Sequence, residues 1–501
     1  MKGDVDKQQW TRILGYLVGV ALFVVGLMQC QGSSEPPAPE ASKEKPVAEV
    51  PERRNPPEPE AKAFPTKWNT VYTALTKDSR PNYPYARGIV HIHSIHSHDA
   101  CDGKPRVDGK INAPCLKRLR DALCQTHIDV TFLTEHRSLM AEGDPLKDIM
   151  LYQEGDTPIV ENGQRIGNQM NCPDGHVVTI FPGAENALMP VALKRHPTPK
   201  KGQTLEQLYN DRSSDAIQRF KEAGAAVIVN HTEGQPLEYL QSHNIHGIEV
   251  FNLHAILDPR IRKADLNLPQ QGALEAFLPY LHPEDMLTLP HPDMAFLGFH
   301  EPLKVIVDKW DKLLAKKMVY GYGGTDAHEN VIKSALRDGD RPDSYSRMMR
   351  WFSNHFRVPN NTWKAYREAM FSGNSIVVFE ILGTPEVFEF YGMTKEGKRV
   401  EMGATQQKDI QSLHVEASHP YQNGEERVVS QIKLIHIRAD GSKDVKEGEG
   451  NLTLKEPKPG MYRVEVWVTP KHLKKILTST TMKYIKPSLW IYSNPIQVVA
   501  P

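Results

Sequence analysis

Gly88-Ile89-Val90-His91-Ile92-His93-Ser94-Ile95-His96-Ser97-His98-Asp99-Ala100-Cys101-Asp102 holds four histidines in fifteen residues. Val90 and Ile92 alternate with His91 and His93, so the run reads as a strand whose side chains switch face at each step. Both imidazoles then point the same way, and the chain leaves the strand into a loop carrying His96, His98 and Asp99. Two neutral imidazoles on one face, with more His and Asp just beyond, make a grip for a divalent metal. A half-buried strand showing polar residues on its wet face explains a single His-x-His equally well. Partners elsewhere in the chain favour the metal.

At 501 residues the chain is long enough for two or three domains. Its 39% hydrophobic and 24% charged residues describe an ordinary protein with ample core. Lys plus Arg and Asp plus Glu balance at 61 each, which leaves no global field to steer nucleic acid, and no such partner is expected. The 21 His are the compositional oddity, concentrated in the first two thirds.

Residues 1–12 are polar with Lys2, Lys7 and Arg12, and residues 13–28 run without a charge. That run is short for a spanning helix, which needs about 20 residues, and suits a signal sequence. It ends Leu27-Met28-Gln29-Cys30, which resembles a bacterial lipoprotein signal with Cys30 lipidated, although Gln29 departs from the small residue expected there. An uncleaved anchor is the alternative. Either way the expectation is an exported, membrane-tethered protein on the periplasmic or cell-surface side. Residues 31–63, rich in Pro, Glu, Lys and Ala, read as an extended spacer. Cys101, Cys115, Cys124 and Cys172 remain, an even number in an exported chain. Cys101 and Cys115 flank a polar excursion and are the first candidate pair, with inert buried thiols as the alternative.

From 64 to 383 the pattern is strand, helix, strand. A helix over 115–125, with Leu116, Leu119 and Leu123 on one side, leads into a strand over 128–133, and Thr134-Glu135-His136 follows. A strand over 176–181 turns out through Pro182-Gly183-Ala184-Glu185. Ser213 or Ser214 caps a helix that Gly224 stops; the strand over 225–230 comes next, with His231 just past it. A strand over 248–251 ends at Asn252. A helix over 306–317 feeds a strand that opens into Gly323-Gly324-Thr325-Asp326-Ala327-His328. Repeatedly a short apolar strand presents His, Glu or Asp at its C-terminal end, the rim on which chemistry collects in βα barrels. Two insertions, 137–175 and 257–301, read as lids over that rim. After 384 the texture becomes short alternating strands between 411 and 499, which reads as a β-sandwich. Its scattered His414, His419, His436 and His472 read as structural.

The motifs, in order, are His91-Ile92-His93, Thr134-Glu135-His136, Pro182-Gly183-Ala184-Glu185, Asn230-His231 and Gly324-Thr325-Asp326-Ala327-His328. As a set they resemble the PHP (polymerase and histidinol phosphatase) superfamily, over about residues 87–383. Ser346-Arg347, Ser353-Asn354-His355 and Trp490-Ile491-Tyr492-Ser493-Asn494-Pro495 resemble its carbaryl-hydrolase-like (CehA/McbA-type) branch, which joins a PHP barrel to a C-terminal β-domain. The resemblance implies a distorted (β/α)7 barrel over 64–383 and an all-β sandwich over 384–501. It implies metal ligands His91, His93, Asp99, His136, Glu185, His231, Asp326 and His328, with Glu185, His231 and Asp326 central to catalysis. Glu135 stands where the family has Asp. Ser97-His98-Asp99 replaces the usual Ser-Asp-Gly, so His98 is the alternative to Asp99. Asn252 or His254 offers one further ligand, and His96, His254 and Glu329 are candidate supporting groups.

Eight N/O ligands without Cys suit two or three divalent ions such as Zn, Mn or Fe, because one ion would leave most of the groups unpaired. Glu185, with two oxygens, is the natural bridge. Ions about 3.5–4 Å apart generate a hydroxide nucleophile and clamp a phosphoryl or acyl oxygen. The implied function is a metal-dependent hydrolase of a small-molecule ester, a phosphoesterase first. A carbamate or carboxylate-ester hydrolase, or an envelope-anchored binding module without turnover, are the alternatives.

Overall fold

The computed structural model describes residues 84–136, 150–280, 291–336, 338–422, 424–475, 477 and 481–500. The expected anchor (1–30), the spacer (31–63), residues 64–83 and parts of both insertions lie outside them. Among the described residues no helix is long and apolar enough to cross a membrane.

The strands that position the rim are β1 (Tyr85–Ile92), β2 (Val130–Phe132), β3 (Val177–Phe181), β4 (Met189–Val191), β5 (Ala226–Val229), β6 (Gly247–Asn252) and β7 (Tyr320–Ala327). β1 lies parallel to both β2 and β7, β2 lies parallel to β3, and β5, β6 and β7 run parallel in that order. Short runs of Ile, Val and Phe suit strands covered on both faces, and β1, β2, β5 and β6 are buried throughout. Because β1, β2, β3, β5, β6 and β7 share a direction, their C-terminal ends open on one side, where ligands gather in parallel sheets.

The expected barrel is not a closed ring of ladders. β4 runs antiparallel to β5, and β3 reaches β4 through a lone bridge between Gly183 and Val191. Gly183 is squeezed there: a Cβ on it would overlap the carbonyl oxygens of Leu133 and Pro190. What the ladders describe is a mixed α/β protein built on one large sheet.

Helices cover the sheet as their periodicity requires. Ala113–Gln125 is capped by Asn112 and buries Leu116, Leu119 and Leu123. Ser214–Glu222 is capped by Ser213, whose side chain accepts from the Ala216 N–H, and Gly224 ends it at a φ of +89°. The expected disulfide Cys101–Cys115 is present, and Cys124–Cys172 joins the first helix to the neighbouring hairpin.

The sheet does not stop at residue 383. β8 (Ser353–Arg357) pairs with the first half of β1, and β9 (Ser375–Val378) with β8. The ladder continues antiparallel through Ser488–Ser493, Gly460–Val468, Ser430–Ile437 and Lys443–Glu449. A second sheet of four strands holds Arg399–Glu401, Val387–Thr394, Ile410–Ser418 and Asn451–Lys455. Lys443–Glu449 is an exposed edge strand whose Lys and Glu blunt further pairing. Between Gly460–Val468 and Ser488–Ser493, Lys471–Lys475 forms a short 3-10 turn.

A buried ion pair fastens β1 to the turn Glu380–Leu382. Arg87 Nε donates to Glu380 Oε1 at 2.6 Å, and His355 Nε2 lies 2.8 Å from the same oxygen. Burial would raise the Glu380 pKa, but the Arg87 and His355 charges outweigh it and bring it down to about 2. The folded value lies below the ordinary one near 4.5, so this contribution is complete above that pH and is lost as pH falls toward 2. Glu380→Gln leaves the Arg87 charge buried without its partner and is expected to cost about 3–5 kcal/mol, read from urea unfolding at neutral pH. The gap to the unsubstituted protein should narrow on acidification.

Candidate metal centre

Three residues of the rim are held in unusual backbone conformations. His91, His231 and Asp326 have φ of 63°, 44° and 52°, the left-handed region that residues other than glycine seldom occupy. At His91 the register slips, with Val90 facing Gly324 and Ile92 facing Ala327. The packing records the slip. Val90 joins the apolar cluster of Phe132, Phe181, Ile228 and Tyr322, while Ile92 joins the other, larger cluster. Simple alternation would put Val90 and Ile92 on one face; the slip separates them and still leaves the His91 and His93 rings side by side, centroids 5.3 Å apart. Strain of this kind costs roughly 1–3 kcal/mol per residue and collects at functional sites.

The side chains converge. His91 Nε2 lies 3.1 Å from Glu185 Oε2 and 3.2 Å from Asp326 Oδ1. His93 Nε2 lies 3.1 Å and 3.4 Å from the same two oxygens. The other Glu185 oxygen, Oε1, is 3.1 Å from His231 Nε2, which is also 3.5 Å from Asp326 Oδ2. His136 Nε2 sits 3.4 Å from Asp99 Oδ2 and 3.3 Å from His328 Nε2, and His328 stacks on His93 with centroids 3.7 Å apart. Two groups therefore present ligand atoms within 4.8 Å of one another: His91, His93, Glu185 and Asp326, and His93, His136 and His328.

The second nitrogen of each ring is anchored. His91 Nδ1 meets Glu249 Oε1 at 2.5 Å, His93 Nδ1 meets Ser97 Oγ at 2.9 Å, and His231 Nδ1 meets Glu233 Oε1 at 3.1 Å. His136 Nδ1 faces the Glu185 carbonyl at 3.2 Å, and His328 Nδ1 faces the Asp326 carbonyl at 2.9 Å. Ser97 is itself fixed, donating to Glu135 Oε2 at 2.7 Å. Anchoring one nitrogen sets tautomer and ring direction, the usual arrangement around a metal-binding histidine. All five Nε2 atoms are thereby turned toward the rim.

Burial and mutual charge pull the groups of this cluster in opposite directions. Burial would raise Glu185 and Asp326, but His91 beside both holds them well below the carboxylate range. Burial would lower His91 and His231, and the facing carboxylates lift both well above the ordinary value. His136 rises to about 9 against its burial through Asp99 and Glu185, whereas burial and neighbouring His93 push His328 down to about 3. Buried and without a hydrogen-bond partner are Nε2 of His91, Nε2 of His93 and Oδ1 of Asp326, the atoms a cation would take. A third His/Asp group, His291, Asp293 and Asp338, is different. Arg347 and Arg350 already saturate its acids, Arg350 Nε reaching Asp293 Oδ2 at 2.7 Å and Arg347 Nη2 reaching Asp338 Oδ1 at 2.9 Å.

Every expected ligand, His91, His93, Asp99, His136, Glu185, His231, Asp326 and His328, lies in this constellation. His98 is exposed, while the Asp99 carboxylate lies between His136 and His328. Asn252 caps the turn Leu253–Leu257 through Ala255 N–H and also donates to Glu249, so His254, 3.9 Å from Asp326 Oδ2, is the nearer of that pair. Glu329 is taken up by Arg118 at 2.8 Å, and the His96 backbone N–H is held by Ser94. The sequence reading gave no role to Glu249, Ser97, Glu233 or Asn230, whose Nδ2 donates to Glu185 Oε1 at 2.6 Å. A signal for Glu249 existed: one charged residue inside the apolar run Ile248-Glu249-Val250-Phe251.

No family model matches the chain, and no curated protein matches it. Among solved structures, it is similar to a two-domain protein from Bacteroides vulgatus ATCC 8482 containing a predicted PHP-like metal-dependent phosphoesterase. That likeness has 13% identity, a TM-score of 0.32, and covers 83% of this chain and 96% of the other. At that score it bears on neither fold nor function, which leaves the side-chain geometry to speak for the site.

Glu185→Gln keeps the shape of the side chain and removes the charge shared by His91, His93 and His231. Bound metal is expected to fall by at least one ion per chain in elemental analysis after dialysis, with the far-UV dichroism unchanged; equal metal content would contradict a bridging Glu185.

Proposed function

We propose that this chain is a metal-dependent hydrolase of the PHP type, acting as a phosphoesterase through two or three divalent ions (Zn, Mn or Fe). One observation carries the reading: five imidazole Nε2 atoms and the carboxylates of Glu185, Asp326 and Asp99 meet in one place, with buried unpartnered atoms where a cation fits. When bound, the ions supply Lewis acidity that lowers the pKa of water and stabilises negative charge on a phosphoryl oxygen. His91, His93, Glu185 and Asp326 would hold one ion, His136, His328 and Asp99 a second, and His231 with the outer oxygens of Glu185 and Asp326 a third.

The chain's own part is to hold this set still. Glu185 and Asp326 each turn one oxygen to His91 and His93 and the other to His231, so each carboxylate links neighbouring positions. The anchored rings need little reorganisation to accept a ligand, which is the value of a preformed site. His91 and His93 are fully buried, whereas the His231, His136 and Asp99 side chains retain 32%, 23% and 36% exposure, so substrate approaches over these three. A separate cleft walled by Leu257, Val331 and Met348 lies beside Asp326 and His328.

The finer architecture we propose is a distorted (β/α)7 barrel over 64–383 and a β-sandwich over 384–501, supported by the parallel strands of the first part and, in the second, by an antiparallel continuation of the main sheet beside a separate four-stranded antiparallel sheet. We further propose export and tethering through residues 1–30, supported by the basic start, the apolar run and Cys30. Cys30→Ser should release the protein from the membrane fraction or leave an uncut precursor; unchanged mass and partitioning would point to an uncleaved anchor helix.

The decisive assay uses the full chain loaded with Zn, Mn or Fe(II) on chromogenic phosphomonoesters, phosphodiesters, carboxylate esters and carbamates. Phosphate-ester turnover should depend on metal and vanish with chelator, and His231→Ala should lower kcat by at least about 100-fold. Turnover of carbamates or carboxylate esters alone would favour the second chemistry. Tight metal binding with no turnover would favour an envelope binding module.

A further inference from the structure

We propose that Glu249 is a positioning residue that couples two metal positions, and that Gly324 is glycine to leave room for its carboxylate. This rests on the reading of the rim as a metal centre. Glu249 lies in the middle of β6, where every residue is buried, and its carboxylate has no access to solvent. A buried carboxylate needs several strong donors, and the three it has belong to the site or its border. Oε1 meets His91 Nδ1 at 2.5 Å. Oε2 accepts the backbone N–H of His231 at 2.8 Å and Nδ2 of Asn252 at 3.0 Å.

The two arms do different things. The first keeps His91 Nδ1 protonated and points Nε2 toward Glu185 and Asp326. The second acts on the backbone of His231, whose φ of 44° needs a compensating contact. Holding that N–H aims the His231 ring at the far oxygens of Glu185 and Asp326. His231 has its own ring partner in Glu233, which touches no other rim histidine in the contacts seen. One carboxylate thus serves a ligand on each side of Glu185, whereas Glu233 serves one side.

Gly324 explains how the carboxylate fits. It lies on β7, in register with Val90 on one neighbour and Asn252 on the other. A Cβ on Gly324 would overlap Glu249 Oε1 and come within 3.2 Å of His91 Cβ. The backbone there has an ordinary φ, so the need for glycine is space and not conformation. Gly324→Ala therefore displaces the carboxylate while leaving its charge in the chain, and Glu249→Gln removes the charge while leaving the shape.

The test is calorimetric titration of metal-free full chain with zinc, alongside its metal-free unfolding midpoint. The variants are Glu249→Gln, Gly324→Ala and Glu233→Gln. Glu249→Gln and Gly324→Ala should each weaken two zinc equivalents by about 10–100-fold, and Glu233→Gln only one. A purely structural Glu249 would lower the unfolding midpoint without this two-against-one pattern. Should Glu249→Gln fail to fold, Gly324→Ala alone tests the same geometry. Wild-type zinc affinity in Glu249→Gln or Gly324→Ala, or loss of the same single equivalent in all three, overturns the proposal. A wild-type chain that takes up none of zinc, manganese and iron(II) would instead overturn the metal reading on which it rests.

Discussion

Buried carboxylates without a guanidinium or ammonium to neutralise them are the constraint on which the site depends. Away from the rim, buried acids are paired with arginine: Glu380 with Arg87, Asp293 with Arg347 and Arg350, Asp311 with Arg463, Asp156 with Arg120. On the rim, Glu185, Glu249 and Asp326 meet imidazoles, amides and backbone N–H groups among the described residues. An isolated buried charge is among the costliest things a fold can hold. The imidazoles supply part of the compensation, and the divalent cations proposed for the site would supply the rest.

That constraint reaches into the backbone. To bring acids and imidazoles from different strands to one point, the chain adopts left-handed conformations at His91, His231 and Asp326 and a register slip between β1 and β7. Each departure is held by polar contacts behind it. Ser97 links His93 to Glu135, Glu233 holds His231, and Glu249 holds both His91 and the His231 backbone. The layer behind the ligands therefore does two jobs, sustaining strain and fixing ring direction.

The C-terminal strands belong to the support of the molecule. The sheet passes from β9 into Ser488–Ser493 without a break, and contacts such as Arg463–Asp311 and His300 Nε2 to the Leu489 carbonyl fasten the two parts. Its histidines have local employment: His419 bonds the Leu382 carbonyl, His436 bonds the Pro459 carbonyl and stacks on Tyr462, and His472 packs on His419.

The sequence by itself determined the parts that depend on residue type and short spacing. Apolar strands carrying His, Glu or Asp at their ends marked Glu185, His231 and Asp326, and the spacing of His91 and His93 marked a pair whose rings do lie together, although a register slip at His91 and not simple alternation places them there. A serine cap at 213 or 214 and the edge between strand and loop were legible because both rest on local chemistry, and the structure puts the cap at Ser213. Only the tertiary structure decided that the ladders form one mixed sheet with a lone bridge at Gly183 in place of a regular ring, since pairing partners are set by contacts far apart in the chain. It also placed the Asp99 carboxylate between His136 and His328 and left His98 exposed, and it revealed Glu249, Glu233 and Ser97. Those residues act through partners on other strands or through a backbone kink, and neither is written in the spacing of a motif. A ligand announces itself by its chemistry, whereas the residue that aims it is defined by what the fold places behind it.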